Sequence, residues 1–307
     1  MLIATTILTA VTAGFVAQLV DGSLGMGFGT ITMTFLLGLG IAPAVASASV
    51  NVATIATGTV SAVAHAKLRN VHWPTTLRLG IPGAVGGFAG AWALMSLTRL
   101  DAATPVTSAI LVALGAAIVW RFAAGGGTPA GPVRTGFAAP TGLVGGFLAA
   151  VGGGGWGPVT MPITLTTSRL EPYKVVGSVS TAQVFASTAA VAGFWLAAPQ
   201  TLTVLWPLVA GMAVGGMAAA PLAAWLTRRI PTAKLGSTIG MLVVALNLRT
   251  FLGNFSLPWP AVTGAYLALA AVWAVVLVGP RRRAAPGAEP NQAEPDRFDP
   301  APAKAEA

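Results

Sequence analysis

Asp21-Gly-Ser-Leu-Gly-Met-Gly-Phe-Gly29 and Gly152-Gly-Gly-Gly-Trp-Gly-Pro158 are two glycine-rich stretches that interrupt long apolar segments. Glycine costs a helix about 1 kcal/mol per residue relative to alanine, so both stretches predict breaks in helices. Unwound backbone at membrane depth survives only beside protein or a water-filled cavity. Each stretch therefore either joins two full spans or forms the tip of a re-entrant helical hairpin.

The composition around these stretches is that of an integral membrane protein. Of the 307 residues, 55% are hydrophobic and 8% are charged, whereas soluble domains have roughly 25% charged residues. A helix needs about 20 apolar residues to cross the bilayer. The candidate segments are Leu2–Val20, Leu24–Leu39, Pro43–Ala66, Pro74–Leu97, Ala103–Trp120, Thr135–Val151, Pro158–Thr167, Val175–Ala197, Leu202–Leu226, Leu235–Leu252 and Pro260–Val278. Since the segments beside the glycine-rich stretches either span or re-enter, the sequence predicts seven to eleven crossings.

The positive charges predict an orientation in the membrane. Lys and Arg lie mainly in short connections between apolar runs, and such loops are typically cytoplasmic. We therefore expect a multi-pass protein of the cytoplasmic membrane with its C-terminal tail in the cytoplasm. No basic patch interleaved with aromatic residues is present, so nucleic acid is not an expected partner. The basic connections are 67–72, 121–134, 169–174, 228–234 and 281–283.

The chain lacks the residues that a membrane-embedded enzyme would need. Such an enzyme requires a nucleophile, a metal cluster or paired acids within the membrane. The sequence has no cysteine, only two histidines, and one acid, Asp21, within its hydrophobic part. We therefore expect no enzyme activity, no metal site and no cofactor.

The two halves of the chain resemble each other. Gly14–Thr32 aligns with Gly142–Thr160 at an offset of 128, and Val45–Ser61 resembles Val175–Val191 in its small and polar residues. The loop charges give the two units opposite orientations. Inverted repeats are typical of secondary transporters, whose sites lie where broken helices meet near the membrane midplane.

The predicted fold is an all-α integral membrane protein. It is a polytopic helical bundle of two inverted-topology repeats, with glycine-rich broken or re-entrant helices at its centre. The tail is rich in Pro, Ala and Glu, a composition typical of disorder. We predict a first membrane repeat at 1–121, a cytoplasmic linker at 122–134, a second membrane repeat at 135–252, an additional C-terminal span at 253–280 and a disordered cytoplasmic tail at 281–307.

The predicted substrate site combines the glycine-rich stretches with nearby polar side chains. Helix N-termini attract anions, and missing side chains let a substrate approach the backbone, although close helix packing also explains glycines. A carboxylate within the membrane costs roughly 2.5–3.5 kcal/mol, so Asp21 serves either ion coupling or the capping of the next helix. The candidates are Asp21, Gly22, Ser23, Gly25, Gly27, Gly29, Asn51, Thr54, Gly153, Gly154, Gly155, Trp156, Gly157, Ser180 and Gln183.

A series of ordered motifs resembles the sulfite exporter TauE/SafE family. The resemblance covers nearly all of residues 10–255 and implies transport of small sulfur-containing or organic anions, such as sulfite or sulfoacetate, without ATP hydrolysis. Relatives often carry titratable residues where this chain has Asn51, Thr54, Ala149 and Gln183, which puts proton coupling through those positions in doubt. The motifs are Leu19-Val-Asp-Gly-Ser-Leu-Gly-Met-Gly-Phe-Gly29, Ala46-Ser-Ala-Ser-Val50, Arg69-Asn-Val-His-Trp73, Gly80-Ile-Pro-Gly83, Gly152–Pro158 and Val176-Gly-Ser-Val179.

The expected function is a secondary transporter, with export as the expected direction. One repeat would rock against the other to expose a central anion site alternately to each side. An uncoupled anion channel or permease is the first alternative, and a membrane-embedded receptor subunit is the second. The expected partners are a small anionic substrate and the lipid bilayer, and the formation of a homo-oligomer stays open.

Overall fold

A computed structural model describes residues 2–24, 26–123, 135–168, 170–199, 206–226, 232–255 and 257–278. Within these ranges the chain is all helical and no β-strand occurs, as predicted. A short 3₁₀ turn, Thr135–Phe137, precedes α6. The helices are α1 (Leu2–Leu24), α2 (Phe28–Gly38), α3 (Pro43–Lys67), α4 (Trp73–Arg99), α5 (Ala103–Ala123), α6 (Ala138–Gly152), α7 (Trp156–Thr167), α8 (Pro172–Ala197), α9 (Trp206–Leu226), α10 (Thr232–Leu252) and α11 (Trp259–Val278).

Two of these helices are too short to cross a bilayer alone. Helix α2 has 11 residues and α7 has 12. At 1.5 Å per residue they extend about 17 and 18 Å, against a hydrocarbon core of about 30 Å. Both are therefore half-length helices, and each begins where a glycine-rich stretch ends. The described helices long and apolar enough to span are 43–67, 73–99, 103–121, 174–197 and 259–276.

The breaks before the two half-length helices depend on glycine. Gly27 has φ 131° and Gly153 has φ 68°, conformations that other residues rarely adopt. Helix α1 continues through Asp21 to Leu24, one turn past the predicted end at Val20. Asp21 therefore lies inside α1 and not at the start of the next helix. Gly25 lies outside the described residues.

The two halves of the chain pack mainly against each other. Helix α1 packs along α9, and α4 packs along α6; α3 packs on α8, and α5 packs on α10. When each helix of the first half is exchanged with its counterpart in the second half, the same set of helix pairs results. This is expected for two repeats related by a two-fold axis. The opposite orientation of the repeats and the proposed domain boundaries remain predictions. Most of the predicted linker (124–134) and the predicted tail (281–307) lie outside the described part of the chain.

Glycine allows the closest of these helix contacts. A Cβ atom on Gly14 of α1 would overlap the Met212 carbonyl of α9, and one on Gly142 of α6 would overlap the Leu79 carbonyl of α4. Small residues of this kind let membrane helices approach until their backbones touch. Gly86 and Gly215 lie at contacts of the same kind, because their Cβ positions would overlap the Leu143 and Val11 carbonyls.

We expect Gly215→Val to lower the thermal stability of the purified protein. The added side chain would overlap the backbone of α1, and overpacking of this kind costs roughly 1–3 kcal/mol or more. The measurement is the unfolding temperature of protein in detergent, with monodispersity by gel filtration. Gly264→Val is the matched control, because nothing lies within 4 Å of a Cβ at Gly264. Equal unfolding temperatures for both variants would contradict the packing role.

Candidate functional site

The two glycine-rich breaks meet at the centre of the molecule. A Cβ on Gly29 would overlap the Gly153 carbonyl, and a Cβ on Gly154 would overlap the Thr30 amide nitrogen. The start of α2 therefore contacts the turn before α7, backbone against backbone. Two stretches far apart in sequence form one junction, which we call the glycine junction: residues 27–30 and 153–155.

A cavity of about 270 Å³ lies beside the glycine junction, among α1, α2, α3, α7 and α8. Its volume is slightly below the roughly 300–1,000 Å³ of sites for drug-sized ligands, so it suits a small solute. A smaller cavity of about 40 Å³ adjoins it and also reaches Thr54. The polar side chains lining the larger cavity are Gln18, Asp21, Ser61, His65, Ser180 and Gln183.

Asp21 connects the cavity to the start of α2. Its Oδ1 atom accepts the backbone N–H of Phe28 at 3.0 Å. Phe28 is the first residue of α2, whose initial N–H groups have no partner within the helix. Asp21 thus caps α2 from the preceding helix, as one of the two sequence hypotheses proposed. The same side chain also lines the cavity, so it is a candidate ligand or coupling group as well.

Four polar side chains of the cavity lack a protein partner. Within the described part of the chain, no hydrogen bond reaches the side chains of Gln18, Ser61, Ser180 or Gln183. Polar groups inside a protein are normally hydrogen-bonded to protein or to ordered water. These groups are therefore available to water or to a bound solute.

Trp156 fixes the start of α7 against α8. Its side chain is buried, and its indole N–H donates to the Val179 carbonyl at 3.0 Å. The ring also lies close to the position that a Cβ on Gly83 would take. Trp156 lines the cavity, but its only polar atom is already bonded to protein, so it contributes shape to the site.

Three side chains from α3 and α5 bind the end of α6 beside the glycine junction. Asn51 Nδ2 lies 3.3 Å from the Ala149 carbonyl, Ser47 Oγ donates to the Ala150 carbonyl, and Thr107 Oγ1 donates to the Val151 carbonyl at 3.3 Å. These are three of the last four carbonyls of α6, which no residue of their own helix satisfies. We call Ser47, Asn51 and Thr107 the α6 clamp.

The structure brings most of the predicted site residues together. Among the side chains, Asp21, Trp156, Ser180 and Gln183 line the larger cavity. Among the glycines, Gly27, Gly29, Gly154 and Gly157 do so as well. These placements show proximity, and substrate binding by each residue remains a prediction.

Several predicted site residues lie elsewhere. Asn51 belongs to the α6 clamp, and a Cβ on Gly153 or Gly155 would meet Met33 or Leu148. Gly22 and Ser23 belong to the last turn of α1, but the Ser23 side chain lies outside the described structure, as does the whole of Gly25. Their roles in substrate binding are untested.

The predicted site did not include three polar residues that line the cavity. Gln18 lies three positions before Asp21 on α1, and Ser61 lies four positions before His65 on α3. Residues three or four apart share a helix face. The spacing from Asp21 was therefore a signal for Gln18. Nothing in the sequence signalled that the end of α3 faces this cavity.

A helical membrane bundle with two half-length helices beginning at one polar cavity is the architecture of a membrane transporter. The comparisons with known proteins agree with this class. The model of the sulfite exporter TauE/SafE family matches residues 10–250, and the chain belongs to this family. Membership of a transporter family is in line with the expectation that the chain is not an enzyme.

One curated relative supports the same conclusion. The chain is 39% identical over 269 residues to the "Probable membrane transporter protein YtnM" of Bacillus subtilis (strain 168). The match covers 85% of this chain and 87% of the relative. No solved structure matches the chain.

Proposed function

We propose that this membrane transporter exports small sulfur-containing or organic anions, such as sulfite or sulfoacetate, across the cytoplasmic membrane. The observation that carries the proposal is the convergence of two helix N-termini, those of α2 and α7, on one polar cavity. Helix N-termini attract anions through unpaired N–H groups and the helix dipole. The name of the family supports sulfite as a candidate substrate.

The start of α7 is the stronger of the two anion-binding ends. Its N-cap residue is Gly155, and no side chain caps the helix. At α2, by contrast, Asp21 already accepts the Phe28 N–H. Ser180 and Gln183 of α8 line the same cavity and can donate further hydrogen bonds to an oxyanion. The proposed substrate therefore lies between the start of α7 and the polar face of α8.

The position of the cavity supports an opening toward the cytoplasm. The connection between α3 and α4 packs on α8, since the His72 N–H donates to Ser178 Oγ at 2.8 Å. This connection is one of the basic loops that the charge pattern assigns to the cytoplasm. His65, one of the cavity-lining residues, lies in the last turn of α3, just before it. The α6 clamp bonds the end of α6 to α3 and α5, and we assign it to the closed side of an inward-facing state of an alternating-access transporter.

The direct test is anion flux in proteoliposomes. We expect purified protein to move sulfite, sulfoacetate or a related small sulfonate, and empty liposomes to show no such flux. Thiosulfate and taurine complete the panel, because they vary charge and shape. Accumulation against a substrate gradient indicates a coupled transporter, and equilibration alone indicates an uncoupled permease. Binding without flux of any of these solutes would favour a receptor and contradict the proposal.

We expect Gln183→Leu to reduce this flux on the order of tenfold. Leucine keeps a similar volume but removes a hydrogen bond worth roughly 1–2 kcal/mol to an anion, and 1.4 kcal/mol is a factor of ten in affinity. Initial rates at low substrate concentration measure the effect. Thr188→Val is the matched control, since Thr188 is on the same helix but exposed, and its hydroxyl bonds only to the Val184 carbonyl. Equal rates for both variants would show that Gln183 does not bind the transported anion.

A further inference from the structure

The cavity proposed for the anion has an unusual set of charges. Asp21 and His65 are the ionisable side chains among the described residues that line it, and none of these residues is Lys or Arg. This cavity contains a carboxylate and no permanent cation. To bind an anion, it needs another source of positive charge. The two helix N-termini and His65 are the groups available.

Adding these charges shows a deficit. Each helix N-terminus is equivalent to roughly half a positive elementary charge. With Asp21 ionised, the N-termini of α2 and α7 together therefore at most balance its carboxylate, and the C-terminal end of α3 adds a partial negative charge. A bound monoanion is then left without a countercharge. One proton on a group that lines the cavity offsets the charge of the anion.

His65 is placed to hold this proton. Its Nδ1 atom is buried without a hydrogen-bond partner in the described structure. It belongs to the last turn of α3, where the negative end of the helix dipole favours a cation. Histidine is also the side chain whose charge changes between about pH 5 and 8.

The helices packed against α3 offer no alternative cation at the cavity. Among their described residues, α8 carries Lys174, α4 carries Arg78 and Arg99, and α5 carries Arg121, whereas α2, α6 and α9 carry no ionisable side chain. None of these four cations lines the cavity, and neither does Lys67, in the last turn of α3 itself. Lys174 is also paired with Glu171 at 3.1 Å.

We propose that each anion binds together with one proton, which His65 holds within the cavity. The proton moves from solution to the imidazole ring when the anion enters, and both leave on the other side. A monoanion is then carried without net charge, and a pH gradient biases its movement toward the more alkaline side. Export of an accumulated anion then runs down the anion's own gradient. This inference rests on the proposed transport of anions through the same cavity.

The first test is the pH profile of 2-hydroxyethanesulfonate flux in proteoliposomes. This sulfonate keeps one negative charge throughout, so any pH dependence belongs to the protein. Since neutral histidine holds no proton, we expect the wild-type rate to be roughly tenfold higher at about pH 6 than at about pH 8. His65→Gln should transport at the lower rate at both pH values, because glutamine forms hydrogen bonds but does not titrate.

His72→Asn is the matched control for this substitution. His72 does not line the cavity, and its Nδ1 accepts the Thr75 N–H at the start of α4. Asparagine can make the same cap. This variant should therefore keep the wild-type pH profile. A steep profile in His65→Gln, matching the wild type, would overturn the assignment of the proton to His65.

Asp21→Asn tests the charge balance, whereas His65→Gln decides whether His65 or Asp21 holds the proton. Asparagine keeps an oxygen for the Phe28 N–H but removes the charge that makes the proton necessary. We expect this variant to move 2-hydroxyethanesulfonate with little pH dependence, and to respond to a membrane potential set with potassium and valinomycin. The wild type should respond to a pH gradient and not to the potential.

The outcomes separate this inference from the proposed function. Wild-type flux that is driven by the potential and independent of pH would overturn proton coupling and leave anion transport intact. Absence of wild-type flux for 2-hydroxyethanesulfonate and for the whole sulfite panel would overturn the proposed function, and the coupling with it. Gel filtration and the unfolding temperature confirm that each variant is folded.

Discussion

Gly154→Ala is expected to abolish anion flux and to lower the unfolding temperature. A single methyl group at this position would overlap the amide nitrogen of Thr30, at the first turn of α2. Backbone atoms cannot rotate away as a side chain would, so the two half-length helices must separate. Overpacking costs roughly 1–3 kcal/mol when side chains can adjust, and we expect at least that here. Flux in proteoliposomes and unfolding in detergent measure the two effects.

Gly38→Ala is the matched control, because Gly38 ends the same half-length helix and a Cβ there would meet nothing within 4 Å. We expect wild-type flux and stability from this variant. A Gly154→Ala protein that transports at the wild-type rate would contradict the glycine junction. Loss of flux with wild-type stability would instead locate the effect in the cavity, which Gly154 also lines.

The helices could be predicted from the sequence because their cause is local. Runs of apolar residues between basic connections place helices near their observed positions, and Gly27 and Gly153 mark the breaks. The predicted end of the first helix at Val20 was wrong by one turn, because helix α1 includes Asp21, Gly22 and Ser23 and ends at Leu24. Helices within a membrane tolerate glycine. The presence of glycine in the sequence therefore does not fix the residue at which a helix ends, whereas the φ angle in the structure does.

The site could be predicted only in part because its geometry depends on long-range packing. The paired glycine-rich stretches predicted a central site, and the structure brings Gly29 and Gly154 into contact. The last turn of α3 joins the cavity only because α3 packs on α8. No local pattern around His65 contains that information. Asn51 was predicted as a ligand because it is polar. In the structure its amide instead contacts backbone carbonyls of α3 and α6.

The second prediction with a large expected effect concerns the α6 clamp. We expect Asn51→Leu to shift the protein from the observed state toward the alternative state, in which the cavity opens on the side of the α6 clamp. Asn51 is buried, and its Nδ2 donates to the Ser47 carbonyl and approaches the Ala149 carbonyl. Leucine leaves the Ala149 carbonyl without this partner, which costs roughly 1–3 kcal/mol when the group is buried. Since 1.4 kcal/mol is a factor of ten, the ratio of the two states should change about tenfold.

Cysteine labelling measures this shift directly, because the natural chain has no cysteine. In the wild-type background, a cysteine replacing Ser61 in the cavity should react with maleimide, and one replacing the buried Val151 beside the clamp should not. Asn51→Leu should reverse this preference.

Asn254→Leu is the matched control for Asn51→Leu, since Asn254 is exposed and bonds only within its own turn. Unchanged labelling in Asn51→Leu would show that the α6 clamp does not hold the closed side. Reversal would instead show that a residue outside the present cavity governs which side the cavity faces. In an alternating-access protein, Asn51 would then become accessible on the opposite side once the clamp opens. The sequence-based prediction of Asn51 as a ligand would then concern that alternative state.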